Sequence, residues 1–442
     1  MQHRNCAKVD GFKGSLSERD KKIMWHPFTQ EKTAALPIAV KSAKGCYIYD
    51  ENDNAYLDLI SSWWVNLHGH GHPGIAQAIY QQALKLEHVL FAGFTHKPAV
   101  ELCERLKAQL PEDLSRFFFS DNGSTSIEIA LKMAYQYWFN QGITEKKIFL
   151  SFEGDYHGDT FGAMSVGAQS GFYEPFKTFL FSVLTFPFPE TWQGDATYEE
   201  KEKQALTILE QHLDQHGDQI AALVVEPLVQ GASGMRMCRP EFLKKVIECV
   251  QAHGILVIFD EVMTGFGRTG SLFAFEQVGI IPDFLCVSKG LTGGFLPLAL
   301  TITSEKIYEA FLGDHFSKAF AHGHTYTANP LGCAAACASL TLTLDDKTQL
   351  ALKTIHECHQ NGLSYLSKQG SFIKYRSRGT IAAFDLPQAT PEYMQSLKKH
   401  FLSEGLLIRP IGKTIYLLPP YTITSSELER TYERIGVVVK KM

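Results

Sequence analysis

Three short apolar runs mark the middle of the chain: "AALVVE" (221–226), "ILVIFDE" (255–261) and "DFLCVSK" (283–289). They are rich in β-branched residues and do not alternate with polar ones, which predicts strands buried on both faces, as in a parallel sheet. Between the first two lies "RPEFLKKVIECVQAHG". There Phe242, Val246, Cys249 and Val250 share one helical face, and Gly254 stands where the helix would end. Strand, helix, strand is a βαβ pattern. A second helix is predicted in "SDNGSTSIEIALKMAYQYW" (120–138). Ile127, Ala130, Leu131, Ala134, Tyr135 and Trp138 keep the 3.6-residue period, and Thr125 and Glu128 have capping-box spacing at its start.

The two ends read differently. "GCYIYDENDNAYLDLIS" (45–61) predicts a hairpin, with aromatics flanking a polar turn. From about residue 340 onward, amphipathic helices alternate with short strands such as "TIYLLPP". No repeat, low-complexity segment or long linker interrupts the chain. The expected layout is α/β: a large domain (76–335) around a mostly parallel central sheet, plus a small α+β domain built from both termini (1–75 and 336–442).

Composition narrows the function. A chain of 442 residues is too long for one simple core. Its net charge of −5 argues against a nucleic-acid surface, which needs a basic patch. The nine cysteines are odd in number and form no CxxC pair, as expected of reduced thiols in a cytoplasmic protein. Cys333 and Cys337 share a helix face among alanines, which fits core packing better than a metal site. The first residues, "MQHRNCAKVDGFKGSL", hold no apolar stretch typical of a signal peptide. No apolar run approaches the ~18 residues of a spanning helix. A soluble cytoplasmic protein with no membrane, nucleic-acid or metal partner is expected.

Polar residues close the predicted strands: Glu226, Asp260, Glu261 and Lys289. Ligands of open α/β sheets bind at that edge. A single lysine there can simply solvate a strand end. Asp260, 29 residues earlier, changes the reading. A lysine that joins covalently to an aldehyde, beside an acid that keeps a pyridine nitrogen protonated, suits pyridoxal phosphate. The cofactor's phosphate needs backbone donors at a helix N-terminus, and "DNGSTS" provides Gly123 and Ser124 just before a strong helix.

With these residues in hand, "VVEPLVQGASGM", "IFDEVMTGFGRTG", "SKGLTGG" and "HTYTANPLGCAAA" resemble, in order and spacing, the motifs of the class III pyridoxal-phosphate-dependent aminotransferases. The outer motifs "MWHPFTQ", "SSWWVNLHGHGHP", "DYHGDTFGAMS" and "LLIRPIGKTIYLLPPY" resemble the branch that aminates 8-amino-7-oxononanoate in biotin formation. The resemblance implies a fold-type I homodimer with shared active sites. It also implies roles. Lys289 would hold the cofactor and move the proton, and Asp260 would pair with the pyridine nitrogen. Val262 would pack under the ring and Tyr156 over it. Gly123 and Ser124 would bind the phosphate, which Thr325 with His324 would reach from the partner subunit, with Gly323 lining that wall. Asp159 and Arg268 match family positions as supports of the site.

The substrate side follows from chemistry. A long methylene chain ending in a carboxylate needs an apolar tunnel closed by a cation. Phe28, Trp63, Trp64 and Tyr156 would give the tunnel, Arg409 the fork, and Tyr416 a border. Without the resemblance, the tryptophans would pass for core packing and Arg409 for a surface ion pair. Two positions depart from the family. Phe28 stands where a tyrosine is usual, which opens the donor to lysine as well as adenosylmethionine. His324 stands where a proline is common. "GHGHPG" places His70 and His72 two apart, and a turn after a tryptophan strand suits them better than a metal site. Competing readings are an ω-amino-acid aminotransferase, an aminomutase of the same fold, and a non-enzymatic regulator. The last lacks room for a DNA-binding domain.

Overall fold

The computed structural model describes residues 13–167, 173–387 and 389–441, so the expectation about the extreme N-terminus lies largely outside the described residues. A seven-stranded sheet organises the chain. Its strands are β1 (Leu114–Ser120), β2 (Ile148–Phe152), β3 (Val183–Phe186), β4 (Ile220–Val225), β5 (Leu256–Asp260), β6 (Phe284–Val287) and β7 (Ala299–Ser304). The spatial order is β1-β7-β6-β5-β4-β2-β3. Only β7 runs antiparallel to its neighbours. The other six strands therefore all end on one edge.

Both faces of this sheet are buried, which explains the unbroken apolar runs. Val224, Ile258, Phe284 and Cys286 pack with Ile127, Ala130 and Ala134 of the helix Gly123–Asn140. Their neighbours Leu223, Val225, Val257, Phe259 and Leu285 join a second core with Phe242 and Val246 of the helix Pro240–Ala252. Gly254 follows that helix in the left-handed region, φ 63°, where a side chain would be strained.

The two ends of the chain meet. Leu406–Leu407 pairs in parallel with Ala55–Asp58, completing a four-stranded sheet with Val40–Lys44 and Tyr47–Asp50. Thr414–Leu417 forms an antiparallel sheet with Ile373–Arg378 and Ile381–Asp385. Backbone bonds from Leu418 to Leu59 and from Tyr421 to Leu67, both 2.7 Å, tie the C-terminal segment to the N-terminal one.

Three local expectations are corrected. The helix after β1 starts a turn earlier than the Thr125–Glu128 spacing suggested. Asn122, still extended at the strand's end, is its N-cap and forms the box with Thr125. Glu128 instead accepts the backbone N–H groups of Gly162 and Ala163. On the same helix Tyr135 is exposed and Tyr137 buried, because the core-facing stripe is rotated toward Met133 and Tyr137. Trp63 and Trp64 lie not on a strand but on a kinked turn, Ser61–Trp64. Cys333 and Cys337 remain free thiols. Among the described residues no helix is long and apolar enough to cross a membrane.

Candidate active site

The shared strand edge carries the candidate chemistry. Asp260 ends β5 and pairs in register with Cys286 of β6, three residues before Lys289. Lys289 opens a tight turn, Lys289–Thr292, in the left-handed region with φ 41°. For a non-glycine residue such a backbone costs about 1–3 kcal/mol and persists only where its surroundings hold it. Glu226 follows β4, and Tyr156 lies in the loop after β2.

These groups open onto one cavity of about 960 Å³. Its walls include Phe28, Trp63, Trp64, Gly123, Ser124, Tyr156, Asp260, Val262, Lys289, Arg409 and Tyr416. Eleven residues expected at the site, drawn from both ends and the middle of the chain, thus meet. Gly323, His324 and Thr325 are not among the lining residues. They sit in the loop before the helix Pro330–Thr343, with Gly323 and Thr325 exposed. The backbone of His324 bonds to the Thr327 hydroxyl in that loop.

The lysine end is dense with fixed charge. Burial lowers the Lys289 amine to about 8, against the pull of Asp260 and Glu226, and Arg268 adds to the lowering. The Nζ atom rests 4.6 Å from the centre of the Trp64 ring. Asp260 accepts the Val262 N–H at 3.0 Å and a bond from His157 Nδ1 at 2.8 Å. Asp155 lies 3.7 Å from the other ring nitrogen. Burial opposes charge on His157, but the two carboxylates outweigh it and hold its pKa up to about 10. The imidazolium is thus clamped between two acids, and it fixes Asp260. No periodicity signals this histidine: its importance comes from contacts to Asp260, 103 residues away. Glu226, whose pKa burial raises, accepts the N–H groups of Tyr156 and Gly231, each at 2.9 Å. The Tyr156 hydroxyl donates to Asp159 at 3.0 Å. Arg268 is fully buried and donates to the carbonyls of Pro419 and Asn66, so it joins the two chain ends behind the site.

At the helix Gly123–Asn140 the first N–H groups have no acceptor within the helix. Gly123 and Ser124 line the cavity there. A Cβ on Gly123 would come within 2.7 Å of the Val262 side chain, so only glycine lets this backbone lie against Val262.

The mouth is aromatic. Trp64 is buried, its Nε1 donating to the Tyr416 hydroxyl at 3.0 Å. Trp63 is 41% exposed. The Arg409 guanidinium lies 4.4 Å from the centre of its ring, and Phe28 stands 5.9 Å from it. Arg409 has no carboxylate partner among the described residues.

The model of the family described as aminotransferase class-III matches residues 28–439. The adenosylmethionine-8-amino-7-oxononanoate aminotransferase of Synechococcus elongatus is 51% identical, over 93% of this chain and 97% of its own length. The solved enzyme of the same name from Methanocaldococcus jannaschii superposes with a TM-score of 0.89 at 33% identity, covering 96% of this chain and 98% of that one. An amine transaminase from an uncultivated Pseudomonas species, solved in a PLP-bound form, gives 0.87 at 30% identity, covering 95% and 98%.

Proposed function

This chain belongs to the class-III aminotransferases, and we propose that it aminates 8-amino-7-oxononanoate to 7,8-diaminononanoate in biotin biosynthesis. Its fold is the fold-type I arrangement of pyridoxal-phosphate-dependent transferases. The observation that carries the reading is the joint placement, in one cavity, of Lys289, Asp260 and the Gly123–Ser124 helix start with an aromatic mouth that ends in Arg409.

The residues fit pyridoxal phosphate. A Cβ on Gly123 would crowd Val262, and the backbone N–H groups at this helix start suit a phosphate. Lys289 and Asp260 stand at adjacent strand ends, as the cofactor's aldehyde and pyridine nitrogen require. When bound, the cofactor supplies an electron sink for the pair released at the amine carbon. The protein supplies the rest. Lys289 anchors the cofactor and, with an amine lowered to about 8, moves a proton on and off that carbon near neutral pH. Asp260, held by His157, keeps the ring nitrogen protonated. Val262 and Tyr156 would enclose the ring from its two faces.

Trp63, Trp64, Phe28 and Tyr416 form an apolar passage suited to a methylene chain. Arg409, with no carboxylate partner among the described residues, would take the substrate's terminal carboxylate. We assign adenosylmethionine as the amino donor. One observation favours lysine as a second reading: Phe28 puts an apolar ring at the mouth, a wall that suits an aliphatic stem and offers no hydroxyl to a donor's polar head. We further propose a cytoplasmic homodimer in which Gly323, His324 and Thr325 complete the partner's site.

The test is direct. The purified holoenzyme is given the keto acid with adenosylmethionine, lysine, glutamate or alanine in turn, and diaminononanoate is measured by mass spectrometry. Product with adenosylmethionine supports the assignment, and product with lysine alone moves the donor. Turnover of other ω-amines with no diaminononanoate from any donor would place the chain in another branch.

A further inference from the structure

The histidines of "LHGHGHP" (67–73) reach in two directions. His72 caps the helix Pro73–Ala83. The buried His68 places Nε2 at 3.1 Å from the Ser339 hydroxyl and 3.4 Å from that of Thr343. Ser339 donates its proton to the Gly290 carbonyl at 3.2 Å, and Thr343 donates to the Ser339 carbonyl at 3.0 Å. With both hydroxyl protons committed, Nε2 must carry the hydrogen, so His68 is a neutral ring that donates. Burial, with His72 and Arg268, pushes its pKa down to about 3, and the ring stays neutral. The Gly290 carbonyl also accepts the Gly293 N–H at 2.9 Å, so both its lone pairs are used. That carbonyl belongs to the turn opened by the strained Lys289.

His70 faces the other way. It donates to Asp58 at 2.9 Å, and the fully buried Asp58 accepts the N–H groups of Ile60 and Ser62 at 3.2 and 2.7 Å. Asp58 thereby holds the turn in which Ser61, Ser62 and Trp64 all have positive φ, at 50°, 60° and 65°. Gly69, φ 81°, turns the backbone between the two histidines. A Cβ there would lie 2.8 Å from the Thr422 hydroxyl and 3.0 Å from the Gly45 backbone, so this segment, a strap over residues 67–73, tolerates no side chain at its middle.

We propose that His68 and His70 are positioning residues with separate targets: His68, through Ser339, for the turn that carries Lys289, and His70, through Asp58, for the turn that carries Trp63 and Trp64. The strap would place the chemical end and the binding end of the cavity independently. This rests on the aminotransferase reading above.

The test separates the two targets. In the cofactor-free chain, the pH dependence of Lys289 acylation by acetic anhydride is followed by peptide mass. In the holoenzyme, kcat and KM for the keto acid are measured together with tryptophan emission. Ser339→Ala should free the lysine turn. Its kcat should fall about 10–100-fold with KM nearly unchanged, the scale of a small misplacement of a reacting group. The Lys289 midpoint should rise by about one unit, toward the ordinary range of a solvated lysine that still faces Asp260, Glu226 and Arg268. Ser339→Thr should restore most of both. His70→Ala should raise KM about 10-fold and red-shift the tryptophan emission, while leaving the Lys289 midpoint alone. If Ser339→Ala leaves both kcat and the midpoint unmoved, or if both variants shift the same parameters equally, the division of labour is wrong. Should either variant not fold, His68→Gln and Asp58→Asn read the same two parameters with less disturbance. The acylation midpoint needs no substrate, so it reports on the strap even if the keto acid proves to be the wrong substrate.

Discussion

The strand edge around Lys289 and the mouth around Trp63 face one cavity but are built by opposite means. At the edge, Asp260, Glu226, Asp155 and His157 are buried; the three acids accept from backbone N–H groups, and His157 bonds to Asp260 through Nδ1 while its Nε2 faces Asp155 at 3.7 Å. Fixed charges in a dry setting shift one another strongly, and that sets proton affinities for chemistry. At the mouth, Phe28 and Trp63 are 52% and 41% exposed, and Arg409 leans on a ring rather than on an acid. Exposed rings, and a cation with no carboxylate partner among the described residues, cost little to rearrange around a ligand. On the proposed reading, the contrast would separate what must be constant for the reaction from what selects the molecules that undergo it.

The largest break in this comparison should come from Lys289→Ala. Among the described residues no second lysine lines the cavity, so turnover should fall by about 10⁴-fold or more. Borohydride reduction of the wild type, followed by peptide mapping, should place the cofactor on Lys289. An adduct on another lysine would overturn the assignment. Asp260→Asn should retain cofactor and still lose about 10²–10³-fold in single-turnover rate, since the ring nitrogen loses the charge partner that favours its protonated form. Rates near those of the wild type would remove Asp260 from that role.

A change at the mouth should act on binding instead. Arg409→Ala should weaken use of the free acid by about 2–4 kcal/mol, read as kcat/KM, and treat the methyl ester about as the wild type does. A mutant that keeps the preference for the free acid would show that another cation reads the carboxylate.

The charged edge also predicts a pH signature. His157 is raised from 6.5 to about 10, so its ion pairs contribute fully below about pH 6.5 and are lost as the pH rises through about 10. Urea unfolding of the cofactor-free chain should show stability falling across that window, with a flatter profile for His157→Gln. Equal slopes would mean that the histidine is neutral in the fold. The smallest effect is expected from Phe28→Tyr, a few-fold gain in the half-reaction with adenosylmethionine and no gain with lysine, because a hydroxyl discriminates where an apolar wall does not. A gain confined to lysine would reverse the donor assignment.

How much of this was legible in the chain depended on distance along it. The three central strands could be read because a sheet covered on both faces needs continuous apolar residues, and each observed strand lies within a residue or two of its run. Lys289 and Asp260 were legible because strand ends share an edge whatever the strand order. The helix start at Asn122 was obscured by a second acceptable cap at Thr125, and only the path of the chain leaving β1 chose between them. His157 lies in the quoted motif "DYHGDTFGAMS", but no periodicity or strand end marked its role, since that role lies in two acids brought to its two sides.

The sequence by itself determined the α/β class, the strand edge that carries Lys289 and Asp260, and the side-chain chemistry available there, because burial periodicity and strand termini are local properties of the chain. The tertiary structure alone decided that Phe28 and Arg409 flank Trp63, that Trp64 meets both Lys289 and Tyr416, and that His68 and His70 serve different turns. Those pairs join segments up to several hundred residues apart. Their meeting depends on how two cores and two chain ends pack, which no local pattern records.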